Sequence, residues 1–195
     1  MADKMAAQKL GLEVYKLGRL TGFRGVDLLC IGTDRATGDS LGPLVGERLR
    51  RKLDSASGLV RLFGTLEKPV HATNLTETIL HISKKAGRLL IAVDASLGKA
   101  GHVGTITVGR GSILPGACLS KDLPAVGDIF ITGVVNTHSS HAGATLQSTR
   151  LAVVMRMARA IARGLLFGVG MLCYEGEITA CHTSPDYYSR NDGRP

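Results

Sequence analysis

Short runs of branched apolar residues alternate along this chain with segments whose apolar residues recur at helical spacing, and this alternation restricts the fold more than any other feature. The apolar runs predict strands at residues 26–33, 59–65 and 88–96, and the helically spaced segments predict helices at 41–53 and 74–85. Because each run is continuously apolar, both faces of these strands should be covered by helices. The pattern therefore predicts an α/β protein with a mainly parallel sheet.

The pattern changes in the second half of the chain. Residues 101–113 alternate small and branched side chains, which predicts an antiparallel or edge strand, and residues 127–136 predict one further strand. A long helix is predicted from about Thr145 to Leu166. Arg150 falls on the apolar stripe of this helix, where a charge needs a partner, so we expect it to pair with a carboxylate. The stripe consists of Val154, Met157, Ile161 and Leu165, and a separate cationic side consists of Arg156, Arg159 and Arg163.

The length of 195 residues, 44% of them hydrophobic, suffices for one domain, which we place at residues 23–182. The flanking residues 1–22 and 183–195 should be loosely attached. No apolar stretch is long enough to span a bilayer, and the first residues contain no apolar leader core. We therefore expect a protein of the cytoplasm that makes no contact with membranes.

The chain carries 24 Lys and Arg against 16 Asp and Glu, and its net charge of +8 suits an anionic partner, either an acidic protein or peptide or a nucleic acid. Aromatic residues make up only 4% of the sequence. Single-stranded nucleic acids are bound largely by stacking on aromatic side chains, so the composition disfavours nucleic acid as the partner. The cysteines are far apart and form no C-x-x-C pair, which favours reduced thiols at Cys30, Cys118, Cys173 and Cys181.

Polar side chains of catalytic type follow three of the predicted strands. Ligands of open α/β sheets bind beyond the carboxyl ends of the strands, so these side chains should gather on one rim of the sheet. They are Asp34 and Asp39 after the first strand, Asp94 at the end of the third, and Asn136, His138 and His141 at the end of the fifth.

Two of these residues suggest acid–base chemistry. Asp94 follows five apolar residues, so its carboxyl group should be partly buried, and burial raises the pKa of a carboxyl group. If Asp39 lies nearby, its charge raises that pKa further, and two carboxyl groups that share a proton can activate water. The structural alternative is that Asp39 caps the following helix and Asp94 caps a turn. The spacing of the residues leaves both interpretations open.

Phosphate and metal sites receive less support from the sequence. The loop after the first strand lacks both G-x-G-x-x-G and G-x-x-x-x-G-K-[ST], and its two acids would repel a phosphate. His138 and His141 could bind a divalent metal together with Asp39 and Asp94, although histidines in loops are more often solvated. We therefore keep a bound metal only as an alternative.

A serine nucleophile is a further alternative. Ser96 follows Asp94 by two residues, and Ser139 and Ser140 lie between the two histidines of the later loop. However, the chain contains no G-x-S-x-G elbow. His71 and His102 lie beside predicted turns and fit no catalytic pattern.

Five segments, in a fixed order, carry a resemblance to a known family. They are C-I-G-T-D-R-A-T-G-D-S-L-G-P-L-V-G (30–46), G-T-L-E-K-P-V-H-A (64–72), A-V-D-A-S-L-G (92–98), L-P-A-V-G-D-I-F-I-T-G-V-V-N (123–136) and L-Q-S-T-R-L-A-V-V-M (146–155). Together they resemble the YyaC family of sporulation proteins from spore-forming Firmicutes over about residues 24–168. Several motifs in one order are more specific than any single short pattern.

The YyaC family is similar to the spore germination protease, which degrades the small acid-soluble proteins that coat spore DNA, and more distantly to the hydrogenase maturation endopeptidases. The resemblance implies a three-layer α/β/α fold of the phosphorylase/hydrolase type. It also implies that Asp39 and Asp94 match the two catalytic aspartates of the germination protease. In the maturation enzymes, acids at these two places bind nickel with a histidine from a later loop, but neither His138 nor His141 aligns clearly with it.

We therefore expect a peptidase-like hydrolase of the sporulating cell or spore that needs no cofactor. Asp39 and Asp94 would activate water, and Asp34, Asn136 and Arg150 would bind a protein or peptide substrate, such as a small acid-soluble spore protein. The germination protease is considerably longer and is made as a proenzyme, and this chain lacks segments that could close a substrate groove. A non-catalytic factor that binds a peptide in the same cleft and a metal-dependent maturation peptidase are the alternatives.

Overall fold

The computed structural model describes the backbone of residues 2–53, 58–83, 87–116 and 123–183, and the side chains of these residues from 5 to 175. The strands are β1 (Val26–Cys30), β2 (Val60–Phe63), β3 (Leu89–Gly98), β4 (Ile106–Arg110) and β5 (Ile129–Thr137). The α-helices are α1 (Ala2–Gly18), α2 (Leu41–Arg50), α3 (Leu75–Ser83), α4 (Ala142–Gln147) and α5 (Leu151–Thr183). Two short 3-10 helices cover Gly38–Ser40 and Ala100–His102.

The described strands form one sheet in the order β2-β1-β3-β5-β4. The pairs β1–β2, β1–β3 and β3–β5 are parallel, and β4 pairs antiparallel with β5 at one edge. The parallel strands are the continuously apolar runs, and the antiparallel edge strand is the segment that alternates small and branched residues. The structure thus confirms the predicted α/β fold with a mainly parallel sheet and an antiparallel edge strand.

The two faces of the sheet pack against different helices because successive strand residues point to opposite sides. One face, which includes Leu28 and Val93, packs against apolar residues of α1, α2 and α5. The opposite face, which includes Leu29 and Ala92, packs against α3. Helices therefore cover both faces, which gives the predicted three-layer α/β/α arrangement.

The N-terminal segment differs from the prediction. We expected residues 1–22 to be loosely attached, whereas α1 packs along α5 and buries Ala7, Leu10 and Val14. These three residues recur at helical spacing and so form one apolar side of the helix. The predicted tail at residues 183–195 lies outside the described residues, apart from the backbone of Thr183. The side chains of Cys118 and Cys181 also lie outside them, while Cys30 is a buried free thiol and Cys173 is partly buried.

The predicted helix at residues 145–166 is interrupted in the structure. Helix α4 ends at Gln147, α5 begins at Leu151, and Arg150 lies between them with an exposed side chain. The expectation that Arg150 lies on the buried stripe is therefore wrong, because the stripe begins only with α5. The stripe itself is confirmed, since Val154, Met157, Ile161 and Leu165 are buried and Arg156, Arg159 and Arg163 are exposed. Within the described residues, no helix is long and apolar enough to cross a membrane.

A buried ion cluster connects the three strands at their amino-terminal ends. Asp27, the second residue of the apolar strand β1, has no exposed surface. Its Oδ1 accepts hydrogen bonds of 2.7 Å from Nε of both Arg61 on β2 and Arg88 at the start of β3. A buried carboxylate is tolerated only with such partners. The cluster therefore fixes the register of these strands at the end of the sheet opposite the candidate site.

Candidate functional site

The candidate site lies where β1 ends beside the middle of β3. The last residue of β1, Cys30, pairs with Val93, so Asp94 is the first residue of β3 beyond the end of β1. After β1 the chain continues through Ile31, whose N–H donates to the Val93 carbonyl oxygen at 2.7 Å and which forms a parallel bridge with Val70. A crevice therefore opens beside Asp94, although Asp94 itself lies within a strand.

Asp39 reaches this crevice through a tight turn. Gly32 has a φ of +136°, and a Cβ atom at this position would lie 2.0 Å from the carbonyl oxygen of Asp39. The same carbonyl oxygen accepts a hydrogen bond from the Thr33 N–H at 3.2 Å. Only glycine fits this backbone conformation and this spacing without strain. The turn therefore fixes Asp39 against the end of β1, in the short 3-10 helix that precedes α2.

The geometry does not favour the helix-cap interpretation of the two acids. The residue at the N-cap of α2 is Ser40, not Asp39, and Ser40 Oγ donates to the Thr37 carbonyl oxygen at 2.6 Å. Asp94 lies within β3, and its Oδ1 accepts a hydrogen bond from the Ala95 N–H at 2.8 Å. Neither carboxylate therefore occupies the capping position that the alternative assigned to it.

Both acids line one cavity of about 260 Å³. Asp94 is buried, and burial is the main cause that raises its pKa from an ordinary value of 3.8 to about 8. The charge of Asp39 raises this pKa further, and the hydrogen bond from the Ala95 N–H partly offsets both effects. At neutral pH the cavity thus contains a protonated carboxylic acid at Asp94 beside a second carboxyl group.

The remaining lining includes polar residues that sequence reasoning missed. Arg35, His71 and Thr73 all line the cavity that contains Asp39 and Asp94. The His71 ring hydrogen-bonds through Nδ1 to Thr73 Oγ1 at 3.0 Å, and its backbone N–H donates to Asn74 Oδ1 at 2.8 Å. A signal for His71 was present, because it directly follows the bridge residue Val70 and therefore stands at the end of a strand-like segment.

Three of the sequence-predicted site residues lie elsewhere. Asp34 is exposed in the turn before Asp39 and does not line the cavity. Asn136 donates to the Thr145 carbonyl oxygen at 3.1 Å and to Thr149 Oγ1 at 3.2 Å, so its amide fastens α4 to β5. Arg150 is exposed and forms no ion pair with a carboxylate of the described residues.

The reason for this separation is the length of β5. Thr132 is the residue of β5 that pairs with Asp94, so Asn136 lies four residues further along the strand. At roughly 3.3 Å per residue this is a distance of about 13 Å. The end of β5 therefore extends past the level of Asp94, and no residue of β5 or α4 lines the cavity that contains the two acids.

The metal site considered from the sequence is not assembled. His138 and His141 are exposed, and His141 Nδ1 hydrogen-bonds to Ser140 Oγ at 3.0 Å. In the part of the chain that the structure describes, no three His, Cys, Asp or Glu side chains come together in a geometry for a metal ion. The described residues therefore provide no three-ligand site for a resident metal.

The comparisons with known proteins agree with the resemblance and with the fold. Residues 4–164 match the family described as protein of unknown function (DUF1256). The Bacillus subtilis (strain 168) protein YyaC, described as uncharacterized, is 42% identical over 164 residues, which are 84% of this chain and 78% of YyaC. The crystal structure of a [NiFe] hydrogenase maturation protease, HycI from Thermococcus kodakarensis KOD1, matches with a TM-score of 0.52 over 77% of this chain and 94% of HycI. At 18% sequence identity, this second similarity concerns the fold.

Proposed function

Because this chain belongs to the DUF1256 family and shares its α/β fold with a maturation protease, we propose that it is a peptidase in which Asp39 and Asp94 activate water. The observation that supports this proposal is that the two carboxyl groups line one small cavity and that the pKa of Asp94 is raised to about 8. Two carboxyl groups whose environments separate their protonation states can act as a base and an acid in one reaction. A base that activates water and an acid that protonates the carbonyl oxygen together can hydrolyse a peptide bond.

In the proposed mechanism, Asp39 is the base and Asp94 is the acid. Water attacks the carbonyl carbon of the scissile peptide bond while Asp39 accepts a proton from the water. Asp94 donates its proton to the carbonyl oxygen, which gives a neutral tetrahedral diol. When the C–N bond breaks, the leaving nitrogen takes the proton from Asp39 and a diol hydroxyl returns a proton to Asp94. Both carboxyl groups thereby regain their starting states.

We assign Arg35 a supporting role in this reaction. Arg35 lines the same cavity as the two acids and carries a guanidinium group. A cation near the carbonyl oxygen stabilises negative charge that develops there as water attacks. Arg35 would therefore lower the barrier without exchanging a proton, and replacing it should slow the reaction less than replacing either aspartate.

For the substrate, we propose an acidic spore protein of the small acid-soluble class, cleaved in the cytoplasm of the sporulating cell or spore. The net charge of +8 favours an acidic protein as the substrate. The 42% identity to YyaC, together with the resemblance to the YyaC family of sporulation proteins, supports this cellular setting. The binding of the substrate and its cleavage are separate parts of this proposal and are tested separately.

The test is to incubate the full chain with small acid-soluble spore proteins and to follow cleavage by mass spectrometry. We expect Asp39→Asn and Asp94→Asn each to reduce the cleavage rate by about 10² or more, because each removes one proton-transfer group. Asp34→Asn is the matched control, since Asp34 is exposed and does not line the cavity, and it should cleave at the parent rate.

Cleavage by both cavity variants at the parent rate would refute the mechanism. Binding of an acidic spore protein by the parent chain without any cleavage would instead identify a non-catalytic factor that uses the same cavity to hold a protein.

A further inference from the structure

A second and larger cavity lies along the outer edge of β2. It has a volume of about 790 Å³. All four residues of β2 line it, although their side chains point alternately to the two faces of the sheet. Arg50 at the end of α2 lines one side, and Asn74 and Thr78, in and just before α3, line the other. The cavity is therefore a groove whose floor is a strand edge and whose walls are two helices.

On the side of this groove, the backbone of β2 pairs with no strand of the described residues. In the sheet order, β2 is an edge strand whose neighbour among the described strands is β1. The Val26 N–H donates to the Leu59 carbonyl oxygen at 2.8 Å, which places Val26 opposite Val60 in a parallel ladder. In such a ladder alternate residues face the neighbouring strand, so the N–H and C=O groups of Val60 and Leu62 point outward. An outward row of this kind is a template for one more strand.

The groove continues into the candidate active site. His71 lines both the groove and the cavity that contains Asp39 and Asp94. Val70, which precedes it, also lines the groove and pairs with Ile31 directly beside that cavity. An extended chain on the outer edge of β2 would therefore run past His71 toward the two acids.

The charge of the groove indicates the chemistry of such a chain. Three of its lining side chains are cations, Arg50, Arg61 and Lys68, and one is a carboxylate, Glu67. Arg61 is paired with Asp27, and Arg50 with Glu47 and Glu67, whereas Lys68 is exposed and forms no ion pair with a described residue. Lys68 would therefore attract a peptide with acidic side chains and repel a basic one.

We infer that the outer edge of β2 binds an extended acidic peptide segment as an additional strand and directs it into the Asp39–Asp94 cavity. The inference rests on the proposed function only for the statement that this segment is substrate; binding itself does not depend on cleavage. The backbone of β2 would supply affinity through main-chain hydrogen bonds, and Lys68 would supply the preference for acidic side chains.

The experiment measures binding of a fluorescein-labelled decapeptide of alternating Val and Glu to the full chain by fluorescence anisotropy. A second decapeptide carries N-methyl groups on four consecutive central residues, which removes the donors on both of its edges, and a third replaces Glu by Lys. We expect both modified peptides to bind at least about tenfold more weakly than the Val-Glu peptide. The N-methylated peptide loses several main-chain hydrogen bonds, and the Lys peptide loses the charge attraction.

Two protein variants test the same surface. Leu62→Pro removes an outward N–H of β2, and Lys68→Glu reverses the free charge, so each should weaken binding of the Val-Glu peptide about tenfold. Lys99→Glu is the matched control, because Lys99 is exposed and does not line the groove, and it should bind like the parent. Equal binding of the N-methylated and unmodified peptides would overturn the inference, and so would equal binding of the Lys and Glu peptides.

The binding assay separates this inference from the proposed function. The effects of N-methylation and of peptide charge on binding are measured without a cleavage step, so they do not depend on the catalytic roles proposed for Asp39 and Asp94. If cleavage of spore proteins requires Asp39 and Asp94 but N-methylation has no effect on binding, the proposed function stands and the strand-addition site is wrong. If Asp39→Asn and Asp94→Asn leave the cleavage rate unchanged but N-methylation weakens binding of the peptide, the strand-addition site stands and the proposed function is wrong.

Discussion

Asp27 and Asp94 are both buried aspartates within strands, but their carboxyl groups have opposite electrostatic surroundings. Asp27 is bound by the guanidinium groups of Arg61 and Arg88, so its charge is compensated where it lies. For Asp94, burial raises the pKa, and the charge of the neighbouring acid Asp39 raises it further. The first arrangement is typical of structural ion pairs, and the second is typical of sites that hold a proton. Removing the carboxylate charge should therefore change the stability of the fold in opposite directions at Asp27 and Asp94.

The raised pKa of Asp94 makes the stability of the fold depend on pH. Between its ordinary pKa of 3.8 and about 8, the folded chain keeps a proton on Asp94 that the unfolded chain releases. The free energy of unfolding therefore falls as the pH rises through this range, by up to about 1.4 kcal/mol per pH unit. Asp94→Asn removes this dependence, so the stability of the variant relative to the parent should increase from pH 4 to pH 8.

Urea unfolding at several pH values in this range measures the difference. The exposed Asp34→Asn variant serves as the control, and its stability should follow that of the parent chain at every pH. Parallel curves for Asp94→Asn and the parent would show that Asp94 releases its proton in the folded chain as readily as in the unfolded one.

Removing the charge of Asp27 should destabilise the fold. Asp27→Asn leaves the mostly buried guanidinium groups of Arg61 and Arg88 without a carboxylate, and breaking a buried ion pair on one side costs about 3 kcal/mol. Chemical denaturation at neutral pH measures this loss. Glu13→Gln is the comparison, because Glu13 pairs with Lys16 on the surface, where both side chains are about half exposed, and its effect should be small. Similar losses in the two variants would mean that the buried cluster adds nothing beyond a surface pair.

At the scale of elements, glycines let the start of α2 approach the ends of two strands. A Cβ atom at Gly42 would lie 2.1 Å from the carbonyl oxygen of Ile31, and one at Gly46 would lie 1.8 Å from that of Gly64. Such contacts are possible only where no side chain separates the backbones. The apolar runs and the helical spacing predicted the strands and the helix. The close approach of α2 to the end of β1 depends in addition on Gly42 in the helix and on the position of the Ile31 backbone.

Substitution of Gly32 tests the turn that fixes Asp39. Gly32→Ala introduces a Cβ atom 2.0 Å from the Asp39 carbonyl oxygen at a φ of +136°, so it should lower stability by about 1–3 kcal/mol and reduce peptidase activity. Gly104→Ala has a φ of +93° with open space around it, and Gly101→Ala has open space without a positive φ. Thermal unfolding of the three variants separates the strain of the backbone from the clash with Asp39. A loss at Gly32 no larger than at Gly104 would show that the contact with Asp39 is unimportant.

At the scale of the whole molecule, α1 closes one layer by packing against the long helix α5. A Cβ atom at Gly11 would lie 2.6 Å from the carbonyl oxygen of Gly164, and one at Gly168 would lie 2.4 Å from that of Gly11. The two helices thus cross with their backbones in contact, and Leu10 and Val14 are buried beside the crossing. This contact joins segments more than 150 residues apart in the sequence.

Alanine substitutions in the two helices should have effects of opposite sign. Gly11→Ala gains helix propensity but forces the crossing apart, so it should lower the free energy of unfolding by about 1–3 kcal/mol. Gly170→Ala, where a Cβ meets open space on α5, should raise it by about 0.5–1 kcal/mol through helix propensity alone. Chemical denaturation of both variants measures the difference. A stabilising effect at Gly11 would contradict the close crossing.

The sequence by itself determined the class of fold and the position of the acid pair. Continuous apolar runs predict strands with both faces covered, and Asp39 and Asp94 each follow or end such a run, so their approach at one rim was predictable. The alternating segment likewise predicted the antiparallel edge strand. These features depend on residues close together in the chain, where side-chain periodicity reports directly on which side is buried.

The tertiary structure alone decided which side chains join that pair. Asn136 does not line the cavity of the acids because β5 extends four residues past the level of Asp94, and His71 lines that cavity because Val70 pairs with Ile31. Helix α1 is attached because its apolar side meets α5, and the predicted helix over residues 145–166 is interrupted before Leu151. Strand register, strand length and helix docking depend on residues distant in sequence, so local patterns do not specify them.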